Sequence, residues 1–214
     1  MAILRMKTWA SGEILTHTDL NAEFDNIYAN ALDAADQATV NSMTSTSTAL
    51  TPNVNKIVLS TAQASTSGTA ITFSSIPSGV RKIHIMFSGV STSGTSDLIV
   101  QAGDVGGVEN SGYLGSVCTI TTATPAIDNP TSGFGLTATT IAGMILHGTA
   151  TLTLMNSSTN TWAYTSLVGH SNAATHSTGA GVKSTSAELD RVVITTVGGA
   201  DTFDAGSINI SYER

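Results

Sequence analysis

From residue 55 to residue 214 the chain is a succession of short apolar runs separated by Gly, Pro and Ser turn signals, with no helical period between them. The runs are NKIVLS (55–60), TAITFSSI (69–76), VRKIHIMFSGVS (80–91) and SDLIVQAGD (96–104). They are followed by GYLGSVCTITTATP, FGLTATTIAGMILHGTATLTLMNSS and TWAYTSLVGHS (161–171). A last pair, RVVITT and FDAGSINISY, is separated by Gly198 and Gly199. In KIHIMF the residues Ile83, Ile85 and Phe87 alternate with Lys82, His84 and Met86, as a half-buried strand requires. About eight strands with no intervening helix predict a mainly β protein, a jelly-roll-like β-sandwich. The stretch GDVGGVENSGYLGS (103–116) carries five glycines and no periodicity, so it reads as a loop and as the longest candidate for function.

Composition narrows the function classes. Charged residues are 11% of the chain, against about 25% in an ordinary soluble protein. Ser and Thr together number about 60, a polar but uncharged surface that suits assembled shell proteins better than metabolic enzymes. A net charge of −7 with only eight scattered Lys and Arg argues against a nucleic-acid partner. Cys118 is the single cysteine, so no intrachain disulfide can form; it reads as a small hydrophobe or a free nucleophile. No apolar run reaches the length of a membrane-spanning helix, and the first residues lack the apolar stretch of a secretory signal.

One segment reads as a helix: LTHTDLNAEFDNIYANALDAADQAT, residues 15–39. Thr18 or Thr16 can cap it, the latter with Asp19 three residues on. Leu20, Phe24, Ile27 and Ala31 form a narrow apolar stripe of nearly heptad spacing. A lone short helix is marginal in water, so the stripe docks either on its own domain or on the same helix from other chains. Trp9 and Ile14, just ahead, are candidates for packing on the helix start or on a neighbouring protein. After Asp36 the Ser/Thr-rich VNSMTSTSTALTPNVN reads as an extended linker. The expected organisation is an anchor with one short helix (1–36), a linker (37–54) and a β-sandwich head (55–214). The apolar complement of one head looks thin and its outer strands lack charge, which predicts copies packed side by side, with a homotrimer as the preferred count.

Catalytic and cofactor motifs are missing: no GxGxxG after a strand, no P-loop, no HExxH, and Leu114 stands where GxSxG needs its serine. No cofactor, metal or catalytic residue is expected. His170 and His176 are six apart but lack partners for zinc. The pairs Glu188 and Asp190, and Asp201 and Asp204, read as glycosidase-type carboxylates or as solvated turn residues, and Asp104, Glu109 and Asp128 as loop carboxylates. A glycan-binding surface needs exposed aromatic rings beside hydrogen-bonding side chains. Tyr113, Trp162 and Tyr164, with Asn110 and Asn172, are the candidates; for Trp162 and Tyr164 the competing reading is a place in the core.

The N-terminal WASGEILTHTDLNAEFDNIY, with Trp9, Gly12, Leu15, Thr16, Asp19, Leu20, Asn21 and Phe24, resembles the opening of small tailed-bacteriophage virion proteins, especially fibre-like ones. The middle region ITFSSIPSGVRKIHIMFSGVSTSGTSDLIVQAGD is similar to the β-rich part of the same group. So is the ending, with Phe203, Gly206, Ile208 and Tyr212 in an F-x-x-G-x-I-x-x-x-Y arrangement. The resemblance implies a virion structural protein, not an enzyme and not inserted in a membrane. It would be assembled in the host cytoplasm, docked through its N-terminus on another virion protein, trimeric, and in some members bound to host-surface glycan. The short anchor and the lack of a long shaft also suit a capsid decoration or head-fibre protein without receptor binding. A third expectation is an enzyme that degrades surface polysaccharide.

Overall fold

The computed structural model describes residues 57–214 continuously and, nearer the N-terminus, residues 12, 14, 16–22 and 24. Contacts divide the chain into two units, Met1–Val54 and Asn55–Arg214. In the first unit residues 17–22 and 24 are helical. Thr16, rather than Thr18, caps this helix: its hydroxyl oxygen accepts the Asp19 N–H at 3.2 Å, its carbonyl accepts the Leu20 N–H at 3.1 Å, and its hydroxyl donates to the Asp19 carboxylate. Thr18 lies inside the helix. Ile14, Leu20 and Phe24 are exposed. Trp9, Ile27, Ala31 and the proposed linker lie outside the described residues.

The second unit is a sandwich of two sheets in which every paired strand is antiparallel. The larger sheet runs β1 (Ile57–Leu59), β14 (Phe203–Glu213), β4 (Lys82–Thr92), β10 (Leu146–Asn156), β11 (Thr161–His170), β12 (His176–Ser184), β7 (Leu114–Ile120), β8 (Ala126–Asp128), with β2 (Gln63–Ala64) on β14. The smaller runs β3 (Ala70–Phe73), β13 (Arg191–Thr196), β5 (Leu98–Asp104), β6 (Gly107–Val108), with β9 (Phe134–Gly135) also on β5. The chain alternates sheets over β3, β4 and β5, and again over β13 and β14, while β10, β11 and β12 form a meander within one sheet. The expected β-sandwich is therefore present.

The inward residues of both sheets make one core. Ile83, Ile85 and Phe87 face inward from β4 as the alternation requires, and meet Leu152 and Tyr164 of the larger sheet and Val100, Val192 and Ile194 of the smaller. The smaller sheet is covered on its other face as well, since Ile99 and Val193 are buried, and Gly133 of the long β7–β10 connection passes over Ile99 and Gln101. Strands β8 and β12 escape detection by periodicity. The inward positions of β12 are Ser177, Gly179, Gly181 and Lys183, which present no apolar alternation.

Two bulges bend the β4–β14 pair near its end. There Gly206 has φ +87°, and a Cβ on it would fall 2.3 Å from the Gly89 carbonyl oxygen. Gly206→Ala is therefore expected to cost about 1–3 kcal/mol from the backbone conformation alone, with the clash added. Gly169→Ala, where a Cβ meets nothing within 4 Å, should stay within about 0.5 kcal/mol. Urea denaturation of the two variants measures the difference, and equal midpoints would contradict the bulge geometry.

Candidate functional site

Strand β1 begins opposite the end of β14, with Ile57 beside Glu213. The chain therefore enters the sandwich at the end formed by loops 74–81, 105–113, 157–160 and 185–190, here the proximal end. Loops 93–97, 171–175 and 197–202 lie at the opposite, distal end.

The glycine-rich loop between β5 and β7 is pinned rather than free. The Tyr113 hydroxyl accepts the Ala102 N–H at 2.8 Å and donates to the Glu109 carbonyl at 2.7 Å. Burial pushes Tyr113 up to about 12. The Glu109 carboxylate pairs with Lys183 and accepts the Ser186 N–H at 2.6 Å. Lys183 is itself buried, donates to the Ser184 carbonyl at 2.8 Å and lies 5.5 Å from the Tyr113 ring centre. Burial raises the Glu109 carboxyl, but Lys183 and Ser186 outweigh it and hold the group below its ordinary range. Asp104 accepts from the Ser186 hydroxyl and from the Gly106 and Ala187 N–H groups, and these bonds likewise hold it low. Glu188 takes the Gly79 N–H at 2.7 Å and the Ser78 hydroxyl at 2.9 Å, with the same effect.

These carboxylates act as struts between loops and stay ionised. Asp97, near the distal end, has the opposite shift: burial raises it, against hydrogen bonds from Thr140 and Thr137. Asp190 pairs with Arg191 at 2.7 Å, and Asp201 accepts the Ser96 N–H at 2.8 Å.

The aromatic residues expected to offer a glycan platform are core residues instead. Tyr113, Trp162 and Tyr164 are each 1–2% exposed. Phe134 joins two of them: it stacks on Tyr164 at 4.5 Å and meets Tyr113 edge-on at 4.9 Å. A head with few aromatic residues uses them where two sheets must be filled. Asn110 is exposed on the pinned loop. Asn172 is exposed but acts as a clip, accepting the Ile145 N–H and donating to the Gly143 carbonyl, both at 2.8 Å. The structure brings none of these five into a common surface.

A small cleft that the sequence did not signal lies at the proximal end. It has a volume of about 270 Å³ and is lined by Val80, Leu154, Ser157, Asn160, Trp162, Glu188 and Leu189. The Trp162 indole N–H is buried and makes no hydrogen bond, a state that costs about 1–3 kcal/mol. Asn160 sits at φ +48° in the β10–β11 turn, and neither its amide nor the Ser157 hydroxyl is hydrogen bonded. A second cleft of about 250 Å³, lined by Ile76, Ser78 and Val105 among others, shares Glu188 and Leu189 as its wall.

The histidines do not converge. His170 faces inward with its ring on the Thr175 hydroxyl at 2.8 Å, and burial lowers its pKa. His176 lies exposed on the outer face. Among the described residues no group of three or more His, Cys, Asp and Glu could hold a metal ion, and no helix is long and apolar enough to cross a membrane. The chain matches no family model, no curated protein and no solved structure.

Two outcomes follow from the strut network. Lys183→Met leaves the Glu109 carboxylate without its cation in a largely buried place and should cost about 3 kcal/mol. The Lys183→Met/Glu109→Leu double variant should recover much of that, and urea unfolding that found the single variant neutral would refute the strut role. Asp104, Glu109 and Glu188 are depressed in the folded chain, so the stability they contribute is complete above their ordinary values of 3.8 and 4.5 and is lost as pH falls through the folded values. The urea midpoint should therefore drop steeply below about pH 4; a flat profile there would contradict the depressed values.

Proposed function

We propose that this chain is a fibre-like structural protein of a tailed-bacteriophage virion, anchored through its N-terminal segment and displaying a jelly-roll-type β head as a homotrimer for attachment to the host surface. The observation that carries the reading is the outer face of the larger sheet across β11, β12, β7 and β8. Its outward side chains include Leu114, Ile120, Ile127, Leu167 and Val182, with threonines and alanines between them and no Asp, Glu, Lys or Arg. Leu114, Leu167 and Ile127 are 68%, 62% and 72% exposed.

So flat and neutral an apolar face suits an equally uncharged partner, because a charged one would lose its hydration without compensation. A further copy of the chain supplies such a face. The count of three comes from the resemblance of the terminal motifs to fibre-like proteins. The route of the chain within the head fits this reading: Ile57 lies beside Glu213, at the opposite end of the sandwich from loops 93–97, 171–175 and 197–202.

One observation favours a second reading. The aromatic residues that a receptor platform would need are in the core, which suits a capsid decoration or head-fibre protein that makes no host contact. Gold-labelled antibody on intact particles separates the two by finding the chain on the tail or on the capsid face.

Light scattering of the full-length protein should return the mass of three 21.8 kDa chains. Leu167→Lys combined with Ile127→Lys, both at exposed positions, should give folded monomers. Cys118, on the same face and half-buried, should react slowly with a thiol reagent in the trimer and quickly in that variant. A monomeric unsubstituted chain would overturn the assembly reading.

A further inference from the structure

We propose that His176 makes the association of copies through the neutral face pH-dependent, permitting it while the imidazole is neutral and opposing it once the ring is protonated, a regulation that rests on the assembly reading of this same face. Strand β12 turns His176, Thr178, Ala180 and Val182 outward, and across the sheet His176 stands opposite Ile120 of β7 and Gly169 of β11. Ile120 and, one pair further along, Leu167 are exposed aliphatic side chains of the face. His176 is itself exposed and makes no side-chain hydrogen bond or ion pair with any described residue.

No acid stands near enough to offset a charge on this ring. On β7 its other outward neighbour is the thiol of Cys118. On β11 the outward positions Thr165, Leu167 and Gly169 do not titrate, and His170 points inward with its ring on Thr175. The flanking loops 121–125 and 171–175 contain no Asp, Glu, Lys or Arg. On β8 the outward residue is Ile127, while Asp128 stands opposite the inward Val117. Beyond Gly169, on β10, lies His147, a second imidazole rather than an acid, whose ring accepts the Gly89 N–H and bonds to the Ser171 hydroxyl, both at 3.2 Å. The other half of the sheet differs: there His84 has the Glu213 carboxylate at 3.9 Å, so a proton on His84 gains a partner.

On a separate chain the protonated His176 keeps its water. Covered by the same face of another copy, which also carries no carboxylate, the imidazolium loses that water without a counter-charge, whereas the neutral ring is covered at little cost. The assembled state therefore disfavours the charged form. By linkage, association is strongest where the ring is neutral and weakens as pH falls through the histidine range of about 5 to 8. Disfavouring each imidazolium about tenfold raises the dissociation constant of a trimer about a thousandfold when all three are charged, and the concentration of half-dissociation about thirtyfold. The carboxylate struts titrate lower, since hydrogen bonds hold Asp104, Glu109 and Glu188 below their ordinary values, so the head stays folded while the contact loosens.

The test is light scattering of the full-length chain over a dilution series at about pH 8 and about pH 5.5, with circular dichroism at both. The concentration of half-dissociation should rise about thirtyfold at the lower pH, with the β signal unchanged. His176→Gln, which cannot be charged, should dissociate equally at both values, and His176→Arg, charged at both, should be released at both. His147→Gln should respond to pH as the unsubstituted chain does. An unsubstituted chain whose dissociation is the same at both values overturns the proposal and leaves the assembly reading standing. It is also overturned if His176→Gln keeps the pH response, or if the β signal is lost at about pH 5.5, because release would then be unfolding. Single chains throughout the series at about pH 8 overturn the assembly reading itself, and this regulation with it.

Discussion

The sandwich depends on one close approach, that of the β9 segment to the inner faces of β12 and β7. A Cβ on Gly179 would lie 2.6 Å from the Gly135 carbonyl oxygen, and one on Gly181 would lie 3.0 Å from the Phe134 ring. A Cβ on Gly135 would lie 2.3 Å from Val117. Because these positions carry no side chain, Phe134 can reach between the sheets and stack on Tyr164, with Tyr113 against its edge. Tyr113 then holds the 104–113 loop through its hydroxyl, and that loop carries Glu109 to Lys183. The proximal end of the fold thus depends on glycines on a strand whose inner face has almost no apolar side chain of its own.

The low charge of the chain takes a particular form in three dimensions. At the proximal end Asp104 and Glu109 are taken up by backbone N–H groups and one buried lysine, where hydrogen bonds to the ionised form offset the loss of water, while Glu188 ties Ser78 and Gly79 at the surface. The outer face of β11, β12, β7 and β8 carries threonine, serine, alanine, Cys118, His176 and isolated large aliphatics. A surface of that kind gains from being covered and has no carboxylate, lysine or arginine to desolvate in the process. Among the described residues four buried side-chain atoms make no hydrogen bond: the Trp162 indole nitrogen and the hydroxyls of Tyr164, Ser166 and Thr196.

Most of the architecture was legible where side-chain alternation is strong. Ile83, Ile85 and Phe87 announce β4, and the double-sided burial of β5 and β13 is written in LIV and VVI. Strand β12 was not legible, because Ser177, Gly179, Gly181 and Lys183 fill its inward positions and the aromatic that packs against them comes from residue 134. The candidate sites were less legible still. Tyr113, Trp162 and Tyr164 could equally have faced out or in, and a strand's own pattern does not say which side of a sheet is covered.

By itself the sequence determined an all-β head, its approximate strands, a short helix near the N-terminus and an uncharged surface, because side-chain period and composition act locally. Only the tertiary structure decided that the glycine-rich loop is braced, that the aromatic residues are core, that Thr178, Leu167 and Ile127 share one neutral face, and that Trp162 borders a cleft. Each of those depends on which distant strands pair and in what register, and one step of register moves every side chain of a strand to the other face.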